Sequence, residues 1–357
     1  MSITLTEASK LSTDILLKGI IETIVKESPV LQKLSFIQIT GNSLKYNREK
    51  TLPTAAWYAP VTGIWTASPP TFEQCSAALC VLGVDADVDN FLKATRSNVQ
   101  DLEAACIELA AKAVRNEFEN VFLNGDTGSD ANQFNGLFTT MKGTVWLASH
   151  AYALGDVVVP TAGLENGFRY ECTTAGTSGA TAPTWSTAEG GTTTDNTVTW
   201  TTRLGCHLGS GANGATLVLE RIDRLIDLVR GGKPELILMS RRTRRKIVAL
   251  CRASGQNLLI GEGKAGEVIE YFNGIPVAIS DWVKDNYQVG SSSDCSAVFA
   301  FQTGEGAVAG LTSPEMLQLE RLGSLETKDA SRTRIKWYVS MANFSYVKCA
   351  MLTGVRD

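Results

Sequence analysis

Apolar residues in this chain fall into two rhythms. In a few stretches they recur every three to four positions, and between those stretches they alternate with polar residues. Within residues 5–26, Leu16, Leu17, Ile20, Ile21, Ile24 and Val25 form one helical stripe. Ser28-Pro29 ends it, because a residue before proline is pushed out of the helical region. The stripe suits either a core helix or an arm laid on a neighbour. Residues 97–123 carry the most sustained helical pattern, with Val99, Leu102, Cys106, Leu109, Ala113, Phe118, Val121 and Phe122 on one side. Ser97 is placed to cap it and Asn124-Gly125 to end it. At about 1.5 Å per residue this helix would span about 40 Å, the proportions of a strut.

Residues 34–82 follow the other rhythm. Two strand-like runs flank PTAAWYAPVTGIWTASPP, whose prolines exclude helix and whose Trp57, Tyr58 and Trp65 sit at the tip of a long hairpin. Aromatics at such a tip point to contact with a partner, the alternative being that they fold back on their own domain. Further on, Leu217, Leu219, Ile222, Leu225, Ile226 and Val229 mark a second amphipathic helix. ELILMS is a buried strand, SRRTRRKIVALCRA a third helix, and the remainder to the C-terminus is strands. The fold class is α+β.

Composition narrows the function. The 357 residues suggest two domains, and 44% hydrophobic content supports a packed core. A net charge of −4 is not that of a general nucleic-acid binder, which needs concentrated positive charge. No apolar run is long enough to cross a membrane, and the N-terminus lacks the basic start of a secretory signal. The 8 cysteines are scattered without a C-x-x-C pair, and His150 and His207 stand alone, so no metal or cofactor site is expected. The thiols read as reduced, small apolar side chains; whether Cys172 and Cys206 meet inside the insert described below is left open by spacing. No catalytic constellation is expected.

The order of these parts resembles the major capsid protein of tailed bacteriophages. The resemblance rests on an arm (1–40), a Trp-rich hairpin (41–82) matching the extended loop, and the spine helix 97–123 closed by FLNGD at 122–126. NQFNGL at 132–137 and NGIPVAIS at 273–280 match the turn into and the body of the axial domain (206–310). Residues 83–142 and 311–357 match the peripheral domain. The resemblance implies a non-enzymatic shell subunit forming pentamers and hexamers around double-stranded DNA, without sequence-specific contact. It implies a portal and a separate scaffolding protein as partners, no membrane, assembly in the bacterial host cytoplasm, and a final place in the virion capsid. A strut, an aromatic hairpin and an arm are complete only among neighbours, which independently suits self-assembly.

Residues 143–205 break this pattern. Their Thr-rich alternation with Gly, Pro and Asp punctuation indicates a small inserted all-β domain, displayed on the shell's outer surface. Its Trp146, Tyr152, Tyr170, Trp185 and Trp200 resemble those of small phage surface modules and carbohydrate-binding modules, which implies stacking on sugar rings. The alternative is that these aromatics are simply the core of a small domain. If the insert carries the function, the chain reads as a glycan-binding adhesin.

Other signals compete. GSGANG at 209–214 fits a dinucleotide-binding turn, with Arg241 or Arg242 placed for a 2′-phosphate, the pattern of an NADP-dependent oxidoreductase. The Thr-rich strand before it is unlike the buried first strand such a site needs. Arg241, Arg242, Arg244 and Arg245 oppose the helix dipole at a helix start. They point to a contact with an acidic neighbouring subunit, a face balanced by acids such as Glu235, or DNA. Asp85, Asp87 and Asp89 share one strand face, read as solvated or paired with lysines.

Overall fold

The computed structural model describes residues 29–60, 62–96, 102–255, 259–262 and 268–356. The helical stripe of 5–26 and the Ser97 cap lie outside them. A helical turn α1 (Val30–Lys33) precedes β1 (Phe36–Gln38), β2 (Ser43–Thr51), β3 (Thr71–Ala78) and β4 (Cys80–Asp89). Helices α2 (Asn90–Arg96), α3 (Leu102–Asn124) and α4 (Leu137–Lys142) follow. Next come β5 (Ala151–Tyr152), β6 (Val157–Val158), β7 (Asn166–Thr174), β8 (Gly176–Thr177), β9 (Thr192–Asp195), β10 (Val198–Gly209) and β11 (Ala215–Thr216). Then α5 (Leu219–Leu228), β12 (Leu236–Met239) and α6 (Arg241–Ala253) lead into β13 (Leu259–Glu262), β14 (Val268–Phe272), β15 (Ile275–Ile279) and β16 (Tyr287–Val289). The long strands β17 (Ser292–Phe301), β18 (Val308–Ser324), β19 (Ala330–Asn343) and β20 (Cys349–Arg356) complete the chain.

A four-stranded sheet, ordered β1-β18-β19-β4, carries α3 on one face. Cys106, Ala110, Val114, Phe118 and Phe122 bury one line of the helix at steps of four, against Val88, Ile335, Trp337 and Val339. The Phe118 ring lies 4.8 Å from that of Trp337. Leu109 and Ala113, expected on the inner stripe, face solvent instead. The small side chains of Cys106 and Ala110 let the helix approach the sheet on their side, so the buried face is turned away from Leu109.

The end of α3 is fixed by close backbone approach. A Cβ on Gly136 would lie 2.5 Å from the Val121 carbonyl and 2.7 Å from the Gly125 nitrogen, and one on Gly125 would strike the Phe134 carbonyl. Hydrogen bonds from Gly125 N to Val121 O (2.8 Å) and Gly136 N to Gly125 O (2.9 Å) use that proximity. Asn124 then donates to the Trp282 carbonyl at 2.8 Å and accepts from the Tyr287 hydroxyl at 2.7 Å, tying the helix end to the second sheet.

That second sheet has twelve strands along the path β13-β14-β15-β12-β17-β20-β10-β7-β6, with β9, β11 and β16 at its sides. Its centre is apolar on both faces: β12 is buried along its length, between α5 and α6 on one side and the α3 layer on the other. The Asn273-Gly274 turn joining β14 to β15 has positive φ at both residues, 53° and 76°, as a tight two-residue hairpin demands.

The segment 143–205 is built into this sheet. β10 runs through the expected boundary, pairing with β7 along its first half and with β20 through His207↔Met351, Leu208↔Leu352 and Gly209↔Thr353. The chain enters and leaves at one point, where the Lys142 carbonyl lies 3.3 Å from His207 Nδ1. The result is an extension of the sheet with its own small apolar cluster.

Candidate assembly surfaces

The hairpin ladder β2–β3 forms a two-stranded sheet of its own, and residues 52–70 make its tip. Trp57 is fully exposed (104%) and Trp65 nearly so (81%), with Leu52, Ile64 and Phe72 also open. Tyr58 stacks on Trp65 with ring centroids 4.3 Å apart, and Trp57 stands open beside them in the same segment. They do not fold back onto their own domain.

The basic helix start is satisfied within the chain. Ser240 caps α6 by accepting from Thr243 N. Arg241 forms a two-point pair with Asp281, at 2.8 and 3.3 Å. Arg242 lies 3.4 Å from Asp285 and donates to the Asp294 carbonyl, and Arg244 is held by both oxygens of Glu270. Glu235 is engaged elsewhere, with Thr303. These acids offset the unfavourable dipole. Arg245 is exposed.

The strand carboxylates pair with arginines rather than lysines. Asp85 and Asp87 face Arg334 and Arg332 across the β4–β19 ladder, each as a two-point pair at 2.6–2.9 Å. The Arg334 and Arg332 hydrogen bonds hold the two carboxyls below their ordinary range. Asp89 caps α2 by accepting from Phe91 N and Leu92 N.

Four of the five aromatics named in the insert are interior: Tyr170 and Trp200 are wholly buried and Trp146 and Tyr152 nearly so. Trp185 is partly exposed and packs on them at 4.2 Å from the Tyr170 ring. A small domain has little other apolar material with which to build a core, and the four buried rings serve that packing. Asp195 anchors this core, accepting from the indoles of Trp146 (2.8 Å) and Trp200 (3.2 Å) and from Gly179 N (2.8 Å). Cys172 lies in the same core, whereas the Cys206 thiol meets Cys349, so the two do not come together.

GSGANG is no phosphate cradle. It lies between β10 and β11, which both run parallel to β20, and no helix follows it directly. Gly211 N donates to Gly163 O and Gly214 N to Gly211 O, both at 2.8 Å, and a Cβ on Gly214 would lie 2.7 Å from the Cys295 sulfur. The backbone donors that an NADP pyrophosphate would need are spent on the protein itself.

At the seam between insert and sheet, Glu165 and His207 are both buried, 3.8 Å apart. Burial pushes Glu165 up to about 7 and His207 down to about 4. Near neutrality the contact is therefore one of weakly charged or neutral groups. His207 Nε2 lies 2.9 Å from Thr353 Oγ1. Among the described residues no cluster of His, Cys, Asp or Glu is arranged to hold a metal ion, and no helix is long and apolar enough to cross a membrane.

The sequence pattern of the Phage capsid family matches residues 12–302. The chain belongs to that family. The fold agrees along its whole length. This capsid-family chain is similar to the holo-SrpI encapsulin of Synechococcus elongatus PCC 7942, with TM-score 0.60 and 13% identity over 99% of this chain and 96% of that one. It is similar to the capsid of an empty GTA particle, at 0.57 and 15% over 99% and 98%. It is also similar to Microbacterium phage Oxtober96, at 0.55 and 13% over 99% of each chain. No curated protein matches the sequence. At these identities the likeness is one of fold, and family and fold together are those of a structural capsid subunit.

Sequence reasoning missed Tyr346 and Glu171. The Tyr346 ring lies between the guanidiniums of Arg48 (4.3 Å) and Arg169 (4.4 Å), and Glu171 binds both Lys50 (2.6 Å) and Arg203 (3.0 Å). The available signal was the spacing of Tyr46 and Arg48, which puts both on one face of a strand.

Proposed function

We propose that this chain is the coat subunit of an icosahedral phage head, closing into pentamers and hexamers around double-stranded DNA. The observation that carries the reading is the aromatic tip of Trp57, Tyr58 and Trp65, on a two-stranded ladder of its own and left open by the other described residues. Burying two tryptophans and a tyrosine against a neighbour supplies the type of contact that dominates interface energies. Hexamers, pentamers, a portal and a scaffolding protein are the partners such a head needs, and the insert is read as lying on its outer surface. The arginines of α6 spend their charge within the subunit, which disfavours them as the main inter-subunit contact.

The test is sedimentation of the full chain, coexpressed with its scaffolding protein, beside a Trp57→Ala/Trp65→Ala variant made the same way. The parent should form megadalton particles and the variant should remain small while keeping its fold. Assembly of the variant indistinguishable from the parent would refute the proposal. Nuclease treatment of particles isolated from infected cells tests the contents, since an encapsulin-like compartment would hold no protected DNA.

A further inference from the structure

A two-stranded hairpin is at best marginally stable by itself in water, and β2–β3 shares no ladder with any other described strand. Its direction must therefore be set by side chains. Strand alternation places Tyr46 and Arg48 on one face of β2, the register then shifts between Glu49 and Thr51, and Lys50 meets a support different from theirs. Nearest the body, Tyr46 donates its hydroxyl to the Asn343 carbonyl at 3.0 Å and packs edge-on against Phe344, ring centroids 4.7 Å apart. One rung out, Arg48 donates to the carbonyls of Asn343 and Phe344 and lies over the Tyr346 ring. Arg169, on β7 of the insert, lies 4.4 Å from the same ring. On the outermost rung, Lys50 reaches Glu171, also on β7, at 2.6 Å.

The inner two rungs belong to the end of β19 and the β19–β20 turn, whereas the outermost depends on the insert. Arg169 and Glu171 are alternate residues of β7, so they too share one face. β7 is held to the central sheet through β10, and Arg203 of β10 holds the other Glu171 oxygen at 3.0 Å. The Glu171 side chain is about nine-tenths buried, and its carboxyl, which burial raises, is brought below its ordinary range by Lys50 and Arg203. It is thus a charged anchor on a rigid strand.

We infer that the insert is an internal brace, whose Glu171 fixes the direction of the outer hairpin through Lys50. Whether or not the tip docks on another subunit, the brace acts within one chain, so it is tested separately from assembly.

The experiment is hydrogen exchange on the full, unassembled chain and on Lys50→Met, Glu171→Gln and the double variant. Lys50→Met changes a half-exposed side chain on the hairpin and leaves Glu171 paired with Arg203. Exchange in 43–51 and 71–78 should rise about threefold, the size of one partly exposed ion pair, with 166–174 and 198–209 unchanged. Glu171→Gln should produce the same rise in the hairpin, and the double variant should add nothing further. An unchanged hairpin in Lys50→Met, or effects that add in the double variant, would overturn the brace.

Discussion

The Asp195 carboxylate accepts the Trp200 indole N–H inside the insert, and the same oxygen also takes the indole of Trp146. One acid at the end of β9 thus satisfies two of the three tryptophans of the small core. Removing it leaves two buried indole donors unpaired, at about 1–3 kcal/mol each, and frees the Gly179 N–H as well. Asp195→Ala is expected to destabilise the insert by about 2–4 kcal/mol, and Asp195→Asn, which keeps an acceptor, by about half of that. Urea unfolding followed by tryptophan fluorescence measures both.

Phe118 is the centre of the α3–sheet contact, fully buried and within ring-packing distance of Phe36, Phe122, Phe134 and Trp337. Phe118→Ala removes that plug and leaves a cavity, an expected cost of about 3–5 kcal/mol. Leu109→Ala, about two and a half turns nearer the N-terminus but on the exposed side, should cost under about 1 kcal/mol. Equal losses in chemical denaturation would contradict the placement of the buried stripe.

The Glu165–His207 seam gives stability a pH dependence in two limbs. The folded pKa of Glu165 lies above its ordinary 4.5, so its contribution is complete below about 4.5 and is lost as pH rises through about 7. The folded pKa of His207 lies below 6.5, so its contribution is present above 6.5 and is lost as pH falls through about 4. Glu165→Gln cancels the first limb alone. Relative to the parent it should gain up to about 3 kcal/mol between pH 4 and pH 8. Denaturant midpoints at those two pH values check the sign, and a variant that tracks the parent at both would count against a protonated Glu165.

Gly136 packs where no side chain fits. Gly136→Ala should loosen the junction between α3 and α4 and lower the unfolding midpoint, whereas Gly155→Ala, which has open space but a φ of 90°, should suffer from backbone strain alone. Thermal unfolding of the two variants, compared with the parent, distinguishes collision from strain.

Much of the fold was legible wherever one rhythm governed a whole element. The Asn273-Gly274 turn, β12 and the stripe of α5 follow from local spacing and turn chemistry. The inner face of α3 was turned by about one residue, because Ala110 carries little hydrophobic signal and yet is what permits close approach. Aromatic content alone does not distinguish a sugar-binding face from a core, and in the insert four of the five rings are core while Trp185 stays partly exposed. The arginines of α6 found partners 26 to 52 positions away in sequence, a separation that pattern does not reach. The same distance hid the meeting of β2 with Tyr346, nearly the full length of the chain apart.

Imaging particles assembled from the full chain by electron cryomicroscopy tests the central claim most directly. The account predicts closed shells of pentamers and hexamers in which Trp57 and Trp65 are buried against an adjacent subunit. Shells in which those two rings remain in solvent, or a chain that stays a monomer with the hairpin tip uncovered, would contradict it.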